Sequence, residues 1–142
     1  MAFRDTSSFG KRIEYKIIAQ MLMDGLDVYT PLIDDHGVDC IIKKPDGTFV
    51  EIQIKARSKT CKQNGFFSVD NHKEAMPNFY FVFYSELVDK MWVFSSEEFV
   101  NLSIINKGGK HAGRRKLTLA YSSGKTAKKF DGYIRNNLSF LK

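Results

Sequence analysis

The chain is poor in cysteine, proline and histidine, with two, three and three of them among 142 residues. Cys40 and Cys61 have no Cys or His companions at metal-ligand spacing, which argues against a disulfide framework and against structural zinc. No Gly/Ser/Pro-rich linker, repeat or low-complexity stretch divides the chain, so a single domain over residues 1–142 is expected. No apolar run approaches the ~20 residues of a membrane span. The opening MAFRDTSSFG has no apolar signal-peptide core, and a cytoplasmic protein with no membrane partner is expected. Acid is scarce in one place. Residues 1–100 carry fifteen acidic and twelve basic side chains, whereas residues 101–142 carry ten basic ones and a single acid, Asp131. That asymmetry suits a domain whose C-terminal third meets a polyanion.

What is present is a folded-protein composition, 43% hydrophobic and 13% aromatic. Thr6-Ser7-Ser8 offers N-caps for a helix over residues 9–24, ended by Gly25. Its apolar face collects Ile13, Ile17, Ile18, Met21 and Leu22, and Glu14 falls in the middle of that arc. A carboxylate there must be paired, protonated or turned into a polar cavity, unless nearness to the helix N-terminus lets it reach solvent. A first strand is expected over residues 26–33, bent at Pro31. Asp34-Asp35-His36-Gly37 reads as a solvated turn, close in sequence to Asp39.

Residues 38–56, VDCIIKKPDGTFVEIQIKA, read as a β-hairpin. Lys44-Pro45-Asp46-Gly47-Thr48 matches a type I turn closed by a glycine bulge, which pairs Lys44 with Thr48. Ile41 then opposes Glu51, and Asp39 opposes Gln53. Alternation gives an apolar face of Cys40, Ile42, Val50, Ile52 and Ile54. The other face holds Asp39, Gln53, Lys55 and Glu51. A one-residue slip would mix the two sets.

Beyond the hairpin, a short strand is expected near residues 66–70 and a short helix near residues 72–76. Residues 79–84 read as a strand buried on both faces, with residues 91–94 beside it. Ser95 and Glu98 have capping-box spacing for a helix to about residue 102. Residues 106–116, glycine-rich and basic, read as a mobile loop suited to phosphates. A strand over 117–121 and an amphipathic helix with the stripe Phe130, Tyr133, Ile134, Asn137, Leu138 and Leu141 close the chain. The nucleic-acid-binding candidates are Lys107, Lys110, Arg114, Arg115, Lys116, Lys125, Lys128 and Lys129.

Phosphodiester hydrolysis needs an attacking water, charge relief on the phosphate and help for the leaving oxygen, and a divalent ion can serve all three. One or two carboxylates suffice to hold Mg²⁺. Asp39 and Gln53 can offer a carboxylate and an amide oxygen, Glu14 a second carboxylate, and Lys55 a cation for the water or the phosphate.

This arrangement resembles the PD-(D/E)XK nuclease superfamily, which includes restriction endonucleases and Holliday-junction resolvases, over residues 8–57. The family's helix glutamate corresponds to Glu14. The aspartate opening its second strand is Asp39 in Gly37-Val38-Asp39, and its acid-x-Lys is Gln53-Ile54-Lys55. Val38 stands in place of the proline, and Gln53 in place of the usual acid, a Gln-x-Lys variant. The resemblance implies a mixed α/β fold with a restriction-endonuclease-like αβββαβ core, followed here by the C-terminal strand and amphipathic helix. It implies catalysis by Glu14, Asp39, Gln53 and Lys55, with Mg²⁺ or Mn²⁺ held by Asp39, Gln53 and Glu14. It also implies a DNA substrate of the restriction, homing or resolvase kind. One site cuts one strand, so double-strand cleavage calls for a homodimer or higher assembly. The alternative is a non-catalytic nucleic-acid-binding protein in which Gln53 marks a decayed site.

Overall fold

The structure, a computed structural model, describes residues 3–33 and 37–142, with side chains from Ser8 onward. Asp34, Asp35 and His36 lie outside the described residues. Helix α1 spans Phe3–Met23, and the chain reverses at Gly25, whose φ of +84° suits a residue without Cβ. The helix begins six residues earlier than expected, so Thr6-Ser7-Ser8 lies inside it. Glu14 is therefore mid-helix, which removes the account that nearness to the N-terminus explains it.

The strands, in chain order, are β1 (Asp27–Tyr29), β2 (Cys40–Lys43), β3 (Phe49–Arg57), β4 (Phe66–Val69), β5 (Phe79–Ser85), β6 (Lys90–Ser95), β7 (Ile104–Ile105) and β8 (Arg115–Thr118), with helix α2 (Ser96–Leu102) between β6 and β7. Five of them form a mixed sheet in the order β1-β2-β3-β5-β6, in which only β3 and β5 run parallel. The other three make a small sheet, β4-β8-β7. The hairpin register is the expected one, Ile41 opposite Glu51 and Ile42 opposite Val50. The Lys44 N–H reaches the Thr48 carbonyl at 2.8 Å, and Gly47 takes φ +89°. The capping box of α2 also forms, with Ser95 accepting from the Glu98 N–H and the Glu98 carboxylate accepting from the Ser95 N–H.

The two faces of the large sheet are covered differently. On one, Ile13, Ile17, Ile18 and Met21 of α1 pack on Cys40, Ile42, Val50, Ile52, Ile54 and Val82. Leu22, which the helical wheel placed on this face, is exposed. On the other, Phe79, Phe81, Phe83, Trp92 and Phe94 are covered by Phe67, Val69 and Leu117 of the small sheet, Leu119 just after it and Phe99 of α2. Phe81 and Phe83 stand across from Gln53 and Lys55. The second cover thus ends where β5 gives way to β3, and the polar face of β3 borders its edge.

Two expected helices are absent. The connection from β3 to its parallel neighbour β5 contains β4, and no helix forms at residues 72–76. There His72 is buried, its Nε2 lies 2.5 Å from Ser96 Oγ, and that oxygen accepts the Met76 N–H at 2.8 Å. Tertiary hydrogen bonds take the place of helical ones. The C-terminal amphipathic helix is also corrected. Residues Lys128–Tyr133 and Ser139–Leu141 are 3-10 turns, and between them Ile134 bridges to Trp92 while the Arg135 N–H bonds the Met91 carbonyl at 2.9 Å. Phe130, Leu138 and Leu141 are buried as the stripe requires, but by a chain that runs along the sheet edge. Gly132 and Asn136-Asn137 weaken helix propensity at the point where the edge of β6 offers backbone partners.

Candidate active site

Gly37 begins the local geometry. Its φ is +71°, and a Cβ there would stand 2.9 Å from Gln53 Nε2, so the turn lies against the glutamine side chain. Two residues later the ladder departs from simple alternation. Cys40 is the partner of Ile52, yet the Asp39 N–H also donates to the Ile52 carbonyl at 2.8 Å. Two residues facing one is the signature of a β-bulge, which re-aims the side chain at the bulge. Asp39 is therefore not simply opposite Gln53 as alternation predicts. Its Oδ2 accepts the Ile54 N–H at 2.6 Å, capping the backbone midway between Gln53 and Lys55. A charge-assisted bond of that length holds the carboxylate in one place.

Gln53, Lys55 and Glu51 follow on the half-buried face of β3. Burial is the main cause that lowers the Lys55 pKa, and Arg57 and Arg114 add to it; Asp39 and Asp70 act in the opposite sense. Lys55 thus lies within the field of both Asp39 and a group of arginines.

Glu14 is mostly shielded, with 14% of its side chain exposed, and it pairs with Lys11 at 3.2 Å. Of the fates open to a carboxylate on the apolar arc, pairing is the one realised, through a neighbour one helical turn away. The Lys11 pKa is raised chiefly by its hydrogen bond to Glu14, then by that charge, with Asp39 contributing. The Cys40 thiol is pushed up to about 12, first by burial and then by the charges of Asp39 and Glu14. Both carboxylates therefore act electrostatically on the same two groups, the helix supplying one and the bulge the other.

The basic residues divide. Lys107 and Lys110 lie exposed in the connection between β7 and β8. That stretch is closed as a hairpin by Asn106 N–H to the Arg114 carbonyl at 2.8 Å and by Gly113 N–H to the Asn106 carbonyl at 2.7 Å. Lys125, Lys128 and Lys129 are exposed further on, Lys129 over the Phe130 ring. Arg114 and Lys116 are half-buried, and Arg114 forms an ion pair with Asp70. Arg115 is a correction. It is 7% exposed, and its guanidinium donates to the carbonyls of His72 at 2.6 Å, Lys73 at 2.8 Å and Val100 at 3.3 Å. Because β8 starts at Arg115, alternation turns Arg115 inward with Leu117 and leaves Lys116 on the other face. Sequence reading passed over Arg57, although it stands two residues after Lys55 on the same strand face; that spacing was the available signal.

Among the described residues, no group of three His, Cys, Asp or Glu side chains gathers as a metal site. No helix there is long and apolar enough to cross a membrane. No curated protein matches the chain. Among solved structures, a bacterial homing endonuclease, I-Ssp6803I, is similar over 91% of this chain and 86% of its own, with 21% identity and a TM-score of 0.53, a likeness of fold. The family model for PD-(D/E)XK endonuclease matches residues 4–107, a span that includes α1, the hairpin and β3 through β6. The chain belongs to the PD-(D/E)XK endonuclease family.

Proposed function

We propose that the protein is a metal-dependent endodeoxyribonuclease that hydrolyses phosphodiester bonds at Asp39, Gln53, Lys55 and Glu14. The observation that carries this reading is the Asp39 carboxylate, held by the Ile54 N–H between the two members of Gln53-Ile54-Lys55. The donor set suits Mg²⁺, with Mn²⁺ as an alternative: two carboxylates and an amide oxygen, all oxygen donors, few enough to leave room for water and phosphate. Asp39, Gln53 and Glu14 would hold the ion. When bound, it supplies charge relief on the phosphate and a more acidic water.

The chain's own residues do the rest. Asp39 is held by a backbone bond that does not depend on the ion, so its position precedes binding. The turn at Gly37 sets where the Gln53 amide lies. Lys55, two residues further along the same face, presents its ammonium to the phosphate or the attacking oxygen. Lys11 neutralises Glu14 in the absence of an ion, which lowers the cost of keeping two carboxylates close. DNA is the expected substrate, the cytoplasm the expected location, and cutting both strands calls for a homodimer or larger assembly. Restriction, homing and resolvase roles share this chemistry.

The neutral Gln53 favours a second reading, a nucleic-acid-binding protein without catalysis. Incubation of the pure protein with supercoiled, linear and branched DNA, in Mg²⁺, Mn²⁺ or EDTA, separates the two. Metal-dependent cleavage lost in Asp39→Ala and Lys55→Ala supports the nuclease. Binding without cleavage of any substrate in any metal supports the second reading.

A further inference from the structure

Arg57 extends the line of Gln53 and Lys55 along β3, ~6.6 Å beyond the lysine at the usual strand rise. It lines an open cavity of ≈ 240 Å³ between β3 and the small sheet, together with Gln63, Asn106, His111, Arg114 and Lys116. Among the described residues no carboxylate lines this cavity, and three cations face one space. Arg57 is anchored at Nε by a hydrogen bond, and Arg114 is held by an ion pair. Arg57 Nε donates to the Phe66 carbonyl at 2.9 Å while its guanidinium lies over the Phe67 ring. Arg114 Nε lies 2.6 Å from Asp70 Oδ1, an ion pair with the N–H off the line of contact. Anchoring at Nε fixes the plane of the Arg57 guanidinium and directs its terminal nitrogens, the pair that matches phosphate oxygens, away from the anchor, while Asp70 holds Arg114 by charge alone. Arg57 belongs to β3 and Arg114 flanks β8, so the cavity exists only because the small sheet docks beside the polar face of β3. The charges of Arg57 and Arg114 also depress the Lys55 pKa, which places them within electrostatic reach of the candidate active site.

We propose that Arg57, Arg114 and Lys116 form a subsite for one non-scissile phosphate of the nucleic-acid strand that the Asp39 site acts on, with Arg57 and Arg114 sharing that phosphate. The subsite rests on the nucleic-acid reading of the candidate active site. It sets the path of the strand: from the carboxylates, past Lys55, along β3 to the small sheet. Asp70 is a positioning residue that orients Arg114 from outside the cavity.

The test measures binding without chemistry. Anisotropy of a fluorescein-labelled mixed-sequence duplex of about 20 base pairs, in EDTA over a KCl series, gives the dependence of log K on log[salt], which is about 0.9 per phosphate neutralised. Arg57→Gln and Arg114→Gln are each expected to weaken binding severalfold with the slope nearly kept, because the remaining cations still neutralise the shared phosphate, and the triple variant with Lys116→Gln is expected to lower the slope by about 0.9. Lys142→Gln, at the far end of the chain, is expected to leave the slope unchanged. A wild-type slope in the folded triple variant, or wild-type affinity in both single variants, overturns the subsite, and a slope loss of about 0.9 in each single variant overturns the shared phosphate. If the glutamine variants unfold, Arg57→Lys and Arg114→Lys keep the charge and lose the fork. They are expected to weaken binding severalfold at unchanged slope, and unchanged affinity overturns the proposal. Since EDTA excludes cleavage, a slope effect without nuclease activity in any metal leaves the subsite standing, whereas cleavage with unaltered slopes removes the subsite alone.

Discussion

Arg115 offers the sharpest contrast between a surface and a core role, and Arg115→Met tests it. The guanidinium makes two short bonds, to the His72 and Lys73 carbonyls at 2.6 and 2.8 Å, and two long ones, to the Val100 carbonyl and Ser103 Oγ at 3.3 and 3.4 Å. A hydrogen bond to a charged group contributes about 1.5–3 kcal/mol, and a buried carbonyl left unpaired costs about 1–3 kcal/mol. The long contacts add little. Methionine matches the aliphatic stem and removes the cost of burying a charge, which offsets part of the loss. The expected net effect is about 2–4 kcal/mol of destabilisation, a fall in Tm on the order of 7–14 °C for a domain of this size. Scanning calorimetry or thermal circular dichroism reads it. Arg115→Lys is expected to lose nearly as much, because one ammonium cannot reproduce the fork that spans adjacent carbonyls. DNA affinity of the folded fraction and its salt slope should match wild type. A Tm within about 2 °C of wild type, together with a salt slope reduced by about one, would refute the core role and return Arg115 to the interface.

Gln53→Glu adds a third charge to the candidate ion site and is expected to lower the Mg²⁺ concentration for half-maximal cleavage on the order of tenfold, a Coulomb gain of about 1–2 kcal/mol; an unchanged metal titration would count against Gln53 as a ligand. Gly37→Ala must take up φ +71° and set a Cβ 2.9 Å from Gln53 Nε2, so cleavage is expected to drop about tenfold while stability falls by only about 1–2 kcal/mol. Equal activity in that variant would separate the turn from the site. His72 is held below its ordinary pKa, first by burial and then by Arg115. The unfolded chain therefore takes up a proton that the native state resists, so stability is full above the unfolded pKa of about 6.5 and declines as pH falls from there to the folded pKa. Urea midpoints measured from pH 7.5 to 5 should show this decline, and His72→Phe should flatten it; an identical profile in the variant would assign the decline to other groups.

The parts of the fold that were legible in the sequence are those governed by short-range rules. The Pro-Asp-Gly turn and period-two alternation specified the hairpin from Cys40 to Thr48, because a one-residue slip would have mixed its apolar and polar faces. Ser95 and Glu98 specified the start of α2 by their own reciprocal bonds. The helical wheel placed Glu14 among apolar neighbours, and the structure shields it as that position requires.

The rest depended on partners remote in sequence. Residues 72–76 and the C-terminal stripe looked helical because apolar spacing does not record what else can satisfy the backbone. Ser96 and the edge of β6 supplied those bonds from elsewhere. Arg115 looked like one of a basic run until β8 paired with β4 and extended the strand back to it. The bulge that turns Asp39 onto the Ile54 N–H, and the meeting of Arg57 with Arg114, also belong to this class. Sequence alone determined the hairpin, its turn and the chemical kinds of residue that line β3, since turn chemistry and alternation act over a few residues. Only the tertiary structure decided which of those side chains and which basic residues share a space, because that follows from the docking on β5 and β6 of the small sheet, whose β4 and β8 pair from about fifty residues apart.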